Sequence, residues 1–321
     1  MTPLKTSLKR GALVTTANWQ VVIIQFVADA IFKTLLAVPI VGGVFLVALL
    51  VGGDPSELLD LPVRSIIPAM TTVLLAQPLA LGAFLFSVAV VLVGGSLLMF
   101  FVKGGTVTVL VAAERDAGAV EHPPLRLPAF RRAAQFSLER FAEGAQALFP
   151  RYVRLGVGLL VVYGLTTLAS LVLLVGPASE SAWGTTAVLS MVIVLWITVV
   201  NLLYLLLQMA IGADNCGVLD AIRRIVRLLR LRFRLVAAIF AATLVMVVLT
   251  TAASILATAA LGLIAFVPFI GLAALPLQLI AWVVRGLVFE FIGLTSLVAY
   301  LRVYRESYGS HEVHLHRRAA V

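Results

Sequence analysis

Four charged side chains sit inside long apolar runs of this 321-residue chain: Asp29, Lys33, Arg285 and Glu290. Ionisable groups in such runs are costly and mark ion-pair clusters, substrate routes or proton routes. Asp29 and Lys33 are four apart and are spaced to pair on one helix face. At about 1.5 Å of rise per residue from the basic ends of their helices, Lys33 and Glu290 reach similar depths. The spacing therefore predicts a contact between the first and last apolar helices, with Asp29 and Arg285 nearby. Two roles stay open for this cluster: an ion-pair device that fixes helix register, or a path for substrate or protons.

A second set is cationic. Arg223, Arg227, Arg230 and Arg234 recur at i, i+4, i+7 and i+11 and share a helix face, with Arg224 beside them. Ile222, Ile225, Val226, Leu229 and Phe233 fall on the other face, and Asp214 and Asn215 are expected to cap the start. Such a helix lies at a membrane interface, where each arginine reaching an anionic headgroup contributes around 1 kcal/mol. The same face also suits a cytoplasmic protein partner. Residues 129–148 read as another amphipathic helix: Phe130, Ala134, Phe141, Ala145 and Leu148 make its apolar stripe, and its polar stripe is of mixed charge.

Catalytic and metal chemistry find little support. His311, His314 and His316 crowd the tail with Glu312, but the spacing misses the zinc-protease HExxH pattern, and a solvated tail is expected, with no metal site. His122 stands in a Pro-rich loop. The lone Cys216 excludes an intrachain disulfide and a cysteine metal site. The glycine pairs at 42–43, 94–95 and 104–105 lack the strand–loop–helix context and the following Lys-Ser/Thr of a phosphate loop. No cofactor is implied. Gln25, Gln77, Asn201, Gln208 and Gln278 are expected to hydrogen-bond between helices.

The elements that carry these residues follow from composition. The chain is 62% hydrophobic and 12% charged, with a mean hydropathy of +1.10. A soluble domain is nearer half apolar and a quarter charged. Roughly 20 apolar residues cross the hydrocarbon of a bilayer, and six segments qualify: about 21–51, 79–102, 153–175, 186–211, 235–266 and 276–303. The expected fold is all-α and polytopic, a single integral membrane domain over 1–321. Of 24 lysines and arginines, all but Lys33, Arg64 and Arg285 fall on one side of this topology, whereas Asp54, Glu57, Asp60 and Glu180 fall on the other. The positive-inside rule then predicts both termini in the cytoplasm. It also gives the net charge of +9 an orienting role and implies no nucleic-acid partner. The segment 62–78 is broken by Pro62, Pro68 and Pro78 and is expected on the outer surface. The apolar connection 266–276 is expected to be a turn or a shallow re-entrant hairpin. Three stretches, Ser7–Trp19, Ala129–Phe141 and Ala221–Phe233, share a basic pair in matching place and suggest three repeated helical hairpins.

The stretch ADNCGVLDAIRRIVRLLRLRFRL, followed by a long apolar hairpin, resembles a loose, largely uncharacterised group of bacterial six-helix membrane proteins. That group includes the membrane-anchor domain attached to some glycerophosphodiester phosphodiesterases. The resemblance implies the six-helix fold and a place in the bacterial inner membrane. It supplies no site residues, and the phosphodiesterase activity has no counterpart here. With no convergent catalytic set, the expected function is a noncatalytic scaffold or accessory subunit that binds lipid or a protein partner through its amphipathic helices. The alternative is a permease subunit, driven by an ATPase through residues 129–148 or 219–234. A lipid-modifying enzyme is a third class without a supporting motif, and no motif specifies an oligomer.

Overall fold

The structure is a computed structural model that describes residues 3–51, 76–121, 127–175, 183–265 and 270–319. Asp54, Glu57, Asp60, Arg64, His122, Glu180, most of 62–78 and residues 266–269 of the apolar connection lie outside them, as do the side chains of His311, Glu312, His314 and His316. The described residues hold helices and no strand: α1 (Pro3–Ala17), α2 (Trp19–Val51), α3 (Pro78–Asp116), α4 (Leu127–Ala133), α5 (Leu138–Val175), α6 (Trp183–Asp214), α7 (Val218–Ala265) and α8 (Ile270–Ala319). Among them, α2, α3, α5, α6, α7 and α8 are long and apolar enough to cross a membrane. Their outward faces carry Leu79, Leu160, Met191, Leu256 and Leu263, all at least 70% exposed, which is a surface that only lipid can cover at low cost. The fold is therefore all-α and polytopic.

Two compact units make up the chain. Residues 26–99 form one, from the distal part of α2 and the first part of α3. Here Gly95 receives the ring of Phe32, a contact that leaves no room for a Cβ. Residues 1–25 and 100–321 form the other. In it α8 packs along α7 and α1, and α6 lies against α5, α7 and α8. Glycines set the closest approaches. Gly104 and Gly105 of α3 face Ala145 and Phe141 of α5, where a Cβ on Gly104 would lie 3.2 Å from the Ala145 Cα. Of the neutral polar groups expected to bond between helices, Asn201 does so, its Oδ1 accepting from the Tyr163 hydroxyl at 2.7 Å, whereas Gln25 Oε1 and Gln208 Nε2 are buried without a hydrogen-bond partner among the described residues.

The amphipathic stretch expected as one helix over 129–148 is two helices. Residues 134–137 separate α4 from α5. The cause is Asn18, buried in the one-residue break between α1 and α2. Its Oδ1 accepts from the Gln135 amide at 2.9 Å, and its Nδ2 donates to the carbonyls of Ala133 at 2.7 Å and Val14 at 2.9 Å. One amide side chain thus ends α4 and ties it to α1. Phe141, Ala145 and Leu148 do form the buried stripe of the second piece. Asn18→Ala leaves buried backbone groups without partners, each costing about 1–3 kcal/mol. It should lower the thermal midpoint in detergent, and an unchanged midpoint would remove Asn18 from this role.

Two of the three repeat starts break at the same place. Asn18 is the twelfth residue of Ser7–Trp19, and Arg232, the twelfth of Ala221–Phe233, has a non-helical backbone (φ −130°, ψ 28°). In both, a basic helix bends before entering its span. The middle stretch breaks earlier, at 134–137.

Candidate functional site

The end of α3 has the sequence AAERDAGAVE, residues 112–121. Gly118 adopts a left-handed backbone (φ 58°), which turns the chain out of the helix. That turn presents Glu114, Glu121 and several carbonyls to α1 and α8. Arg10 of α1 reaches both carboxylates, with Nε 3.2 Å from Glu114 and a terminal nitrogen 2.8 Å from Glu121. It also donates to the carbonyls of Glu114, at 2.9 Å, and Gly118. Arg302 of α8 pairs with Glu121 at 2.8 Å and with Glu306 at 2.8 Å. Arg305 pairs with Glu114 and donates to the Val111 carbonyl at 3.1 Å. Lys9 donates to the Glu121 carbonyl at 2.8 Å. The side chains of Arg10, Glu114 and Glu121 are at most 10% exposed. Burial alone would raise the Glu121 carboxyl. Its backbone hydrogen bond and the charges of Arg10 and Arg302 outweigh that and hold it below the usual carboxylate range.

This cluster has no nucleophile–base pair, and Glu114 and Glu121 are buried while Glu306 is half-exposed. Arg10, Arg302 and Arg305 each pair with a carboxylate from the end of α3. The cluster thus joins α1 and α8 to the end of α3 through charge-assisted hydrogen bonds. The sequence reading missed it: Arg10, Arg302 and Arg305 registered there only as orienting charges.

The cationic stretch opens α7. Asp214 and Asn215 do not cap it. Asn215 ends α6 in a left-handed conformation (φ 50°), and the first α7 turn is closed by the Gly217 carbonyl. The Asp214 carboxylate instead accepts from Arg224 and from the Tyr304 hydroxyl, while the Tyr308 hydroxyl donates to the Arg224 carbonyl at 3.1 Å. Arg224 is thus tied into the α6–α8 contact. Arg223, Arg227, Arg230 and Arg234 remain exposed, with Arg223 3.4 Å from Asp220. The expected apolar face divides in two. Ala221, Ile225 and Leu228 are buried against protein, whereas Leu219, Ile222, Val226 and Phe233 are exposed. At 100° per residue, the exposed strip of Leu219, Ile222 and Val226 lies directly beside Arg223, Arg227 and Arg230, and Phe233 and Arg234 follow the bend at Arg232. The helix therefore has three faces: one docked, one apolar and free, one cationic and free.

Of the charges at membrane depth, Asp29 and Lys33 pair with each other at 2.5 Å on α2. Arg285 rests 5.6 Å from the Phe289 ring centroid. It lines a cavity of about 540 Å³ between α7 and α8, with Thr250, Ser254, Thr258 and Gln278. Glu290 lies half-buried one turn further along α8. Lys33 belongs to one unit and Arg285 and Glu290 to the other. Among the described residues, no group of three or more His, Cys, Asp or Glu is arranged to hold a metal.

Comparison with known proteins adds no name to this geometry. No family model, curated protein or solved structure matches the chain.

Proposed function

We propose that the protein is a noncatalytic scaffold or accessory subunit of the bacterial inner membrane, with both termini in the cytoplasm, which engages an anionic membrane surface or an acidic protein partner through the start of α7. The observation that carries this reading is the three-faced helix. Its third face is docked, so its cationic and apolar faces are held in fixed orientation instead of folding on contact. Preorganisation of this kind lowers the ordering cost of binding. The uneven distribution of lysine and arginine supports the orientation. The commitment of Arg10, Glu114, Glu121, Arg302 and Arg305 to one another supports the absence of catalysis at that end.

The test is a photo-crosslinker placed at Arg227 in living cells, followed by mass spectrometry. One recurring protein adduct is expected, or lipid adducts alone, and either should fall at least tenfold when Arg223, Arg230 and Arg234 are replaced by glutamine. Adducts unaffected by the substitutions would overturn the reading. A stoichiometric ATPase would point to the second reading, a permease subunit. The hydroxyl-lined cavity around Arg285 favours that reading, because polar groups at such depth are costly without a passenger.

A further inference from the structure

We propose that the seam between α5, α6 and the start of α7 seats one acyl chain of an anionic phospholipid, whose phosphate is held by Arg154. A cavity of about 350 Å³ runs along this seam. Its lining extends from Arg154 to Val162 on α5 and from Leu207 back to Trp196 on α6, with Val218 and Ile222 of α7 against its side. The α6 stretch rises about 16 Å, close to half of a hydrocarbon core about 30 Å thick. The slot thus has the length of one leaflet.

Its chemistry is that of an amphiphile site. Arg154, Tyr204 and Trp196 aside, every lining residue is aliphatic or glycine. The Trp196 indole N–H is already spent on Thr166 Oγ1 at 3.0 Å, so the deep end offers the occupant no unpaired donor. Gly158 has open space where a Cβ would stand, which widens the middle. At the other end, Arg154 is exposed and makes no hydrogen bond or ion pair among the described residues. The Tyr204 ring in the lining is itself covered by the Lys103 ammonium, 5.1 Å from its centroid. A free cation opening onto an apolar slot one leaflet deep matches a single negative headgroup followed by a hydrocarbon chain. A soluble anion would leave the slot empty, and a zwitterionic lipid would offer Arg154 a phosphate already offset by its own ammonium.

The site does not depend on the scaffold reading, which is tested at Arg223, Arg230 and Arg234. The experiment uses the full-length protein in vesicles with Trp196 as its sole tryptophan (Trp19→Phe, Trp183→Phe, Trp282→Phe). Phosphatidylglycerol and phosphatidylcholine, each brominated at the same acyl positions, are compared as quenchers. The expected result is half-maximal quenching at an about fivefold lower mole fraction of phosphatidylglycerol, the ratio that one arginine–headgroup contact gives. The preference should vanish in Arg154→Gln and persist in Arg154→Lys. It should also shrink as salt is raised on the protein with Arg154 intact, a reading that needs no change at that residue. Equal quenching by the two headgroups, or a preference that survives Arg154→Gln, overturns the proposal.

Discussion

Glu121→Ala is expected to cost about 3–5 kcal/mol of stability, the range for removing one partner from a buried ion pair. The loss arises because Arg10 and Arg302 both point at this carboxylate, at 2.8 Å each, and neither guanidinium can shed its charge. Arg10 would keep Glu114, but Arg302 would keep only the more exposed Glu306. Thermal denaturation in detergent, followed by loss of the monodisperse peak, measures the effect. Arg223→Gln is the control, since its exposed pair with Asp220 contributes about 1 kcal/mol at most. A Glu121→Ala protein as stable as the parent would remove the cluster from its role as the joint of α1, α3 and α8. The pH dependence follows from the same charges. The folded carboxyl sits below its unfolded value of 4.5. Its contribution is therefore fully present above that pH and is lost as the pH falls through the depressed folded value. Glu121→Ala should flatten this acid limb.

Gly144→Ala should destabilise by about 1–3 kcal/mol, although alanine is the better helix former by about 1 kcal/mol. A Cβ on Gly144 falls onto the Cβ, Oγ1 and Cγ2 of Thr108. Thr108 cannot rotate away freely, because a β-branched side chain is stiff at χ1 and its hydroxyl is bonded to the Gly104 carbonyl at 3.0 Å. Gly164→Ala, on the same helix but facing open space, has the opposite sign and should stabilise by up to about 1 kcal/mol. Adding Thr108→Gly to Gly144→Ala should recover part of the loss. If the two alanine variants shifted stability in the same direction, the close crossing of α3 and α5 would be wrong.

How far these features are legible in the sequence depends on how local their causes are. The spans are legible because an apolar run long enough to cross a bilayer advertises itself, and the arginine periodicity at 223–234 marks a helix for the same reason. That periodicity assigns two faces where the folded helix has three: the docked face of Ala221, Ile225 and Leu228 exists only because α7 also touches protein. Asn18 reads as one polar residue before a tryptophan, yet its partners lie 115 and 117 positions away. Glu114 and Glu121 carry no local sign of their partners for a similar reason, since Arg10 and Arg302 are more than 100 residues distant. The local sign of the turn was Gly118 at the end of an apolar run with a glutamate on each side. The Lys33–Glu290 contact inferred from depth would join residues of the two units, and Lys33 pairs with Asp29.

The reading of α7 as a cytoplasmic docking helix stands or falls with its side of the membrane, and the chain carries its own reporter. Cys216 is the only cysteine and lies between α6 and α7, partly exposed, two residues before the cationic helix begins. Burial raises its thiol above the ordinary range, more than the nearby Arg224 charge lowers it, so labelling is best done at mildly alkaline pH. Spheroplasts are treated with a membrane-impermeant maleimide before and after permeabilisation. Cys216 should be protected in intact spheroplasts and labelled once the membrane is opened. Equal labelling from outside would place α7 on the opposite surface and contradict the account.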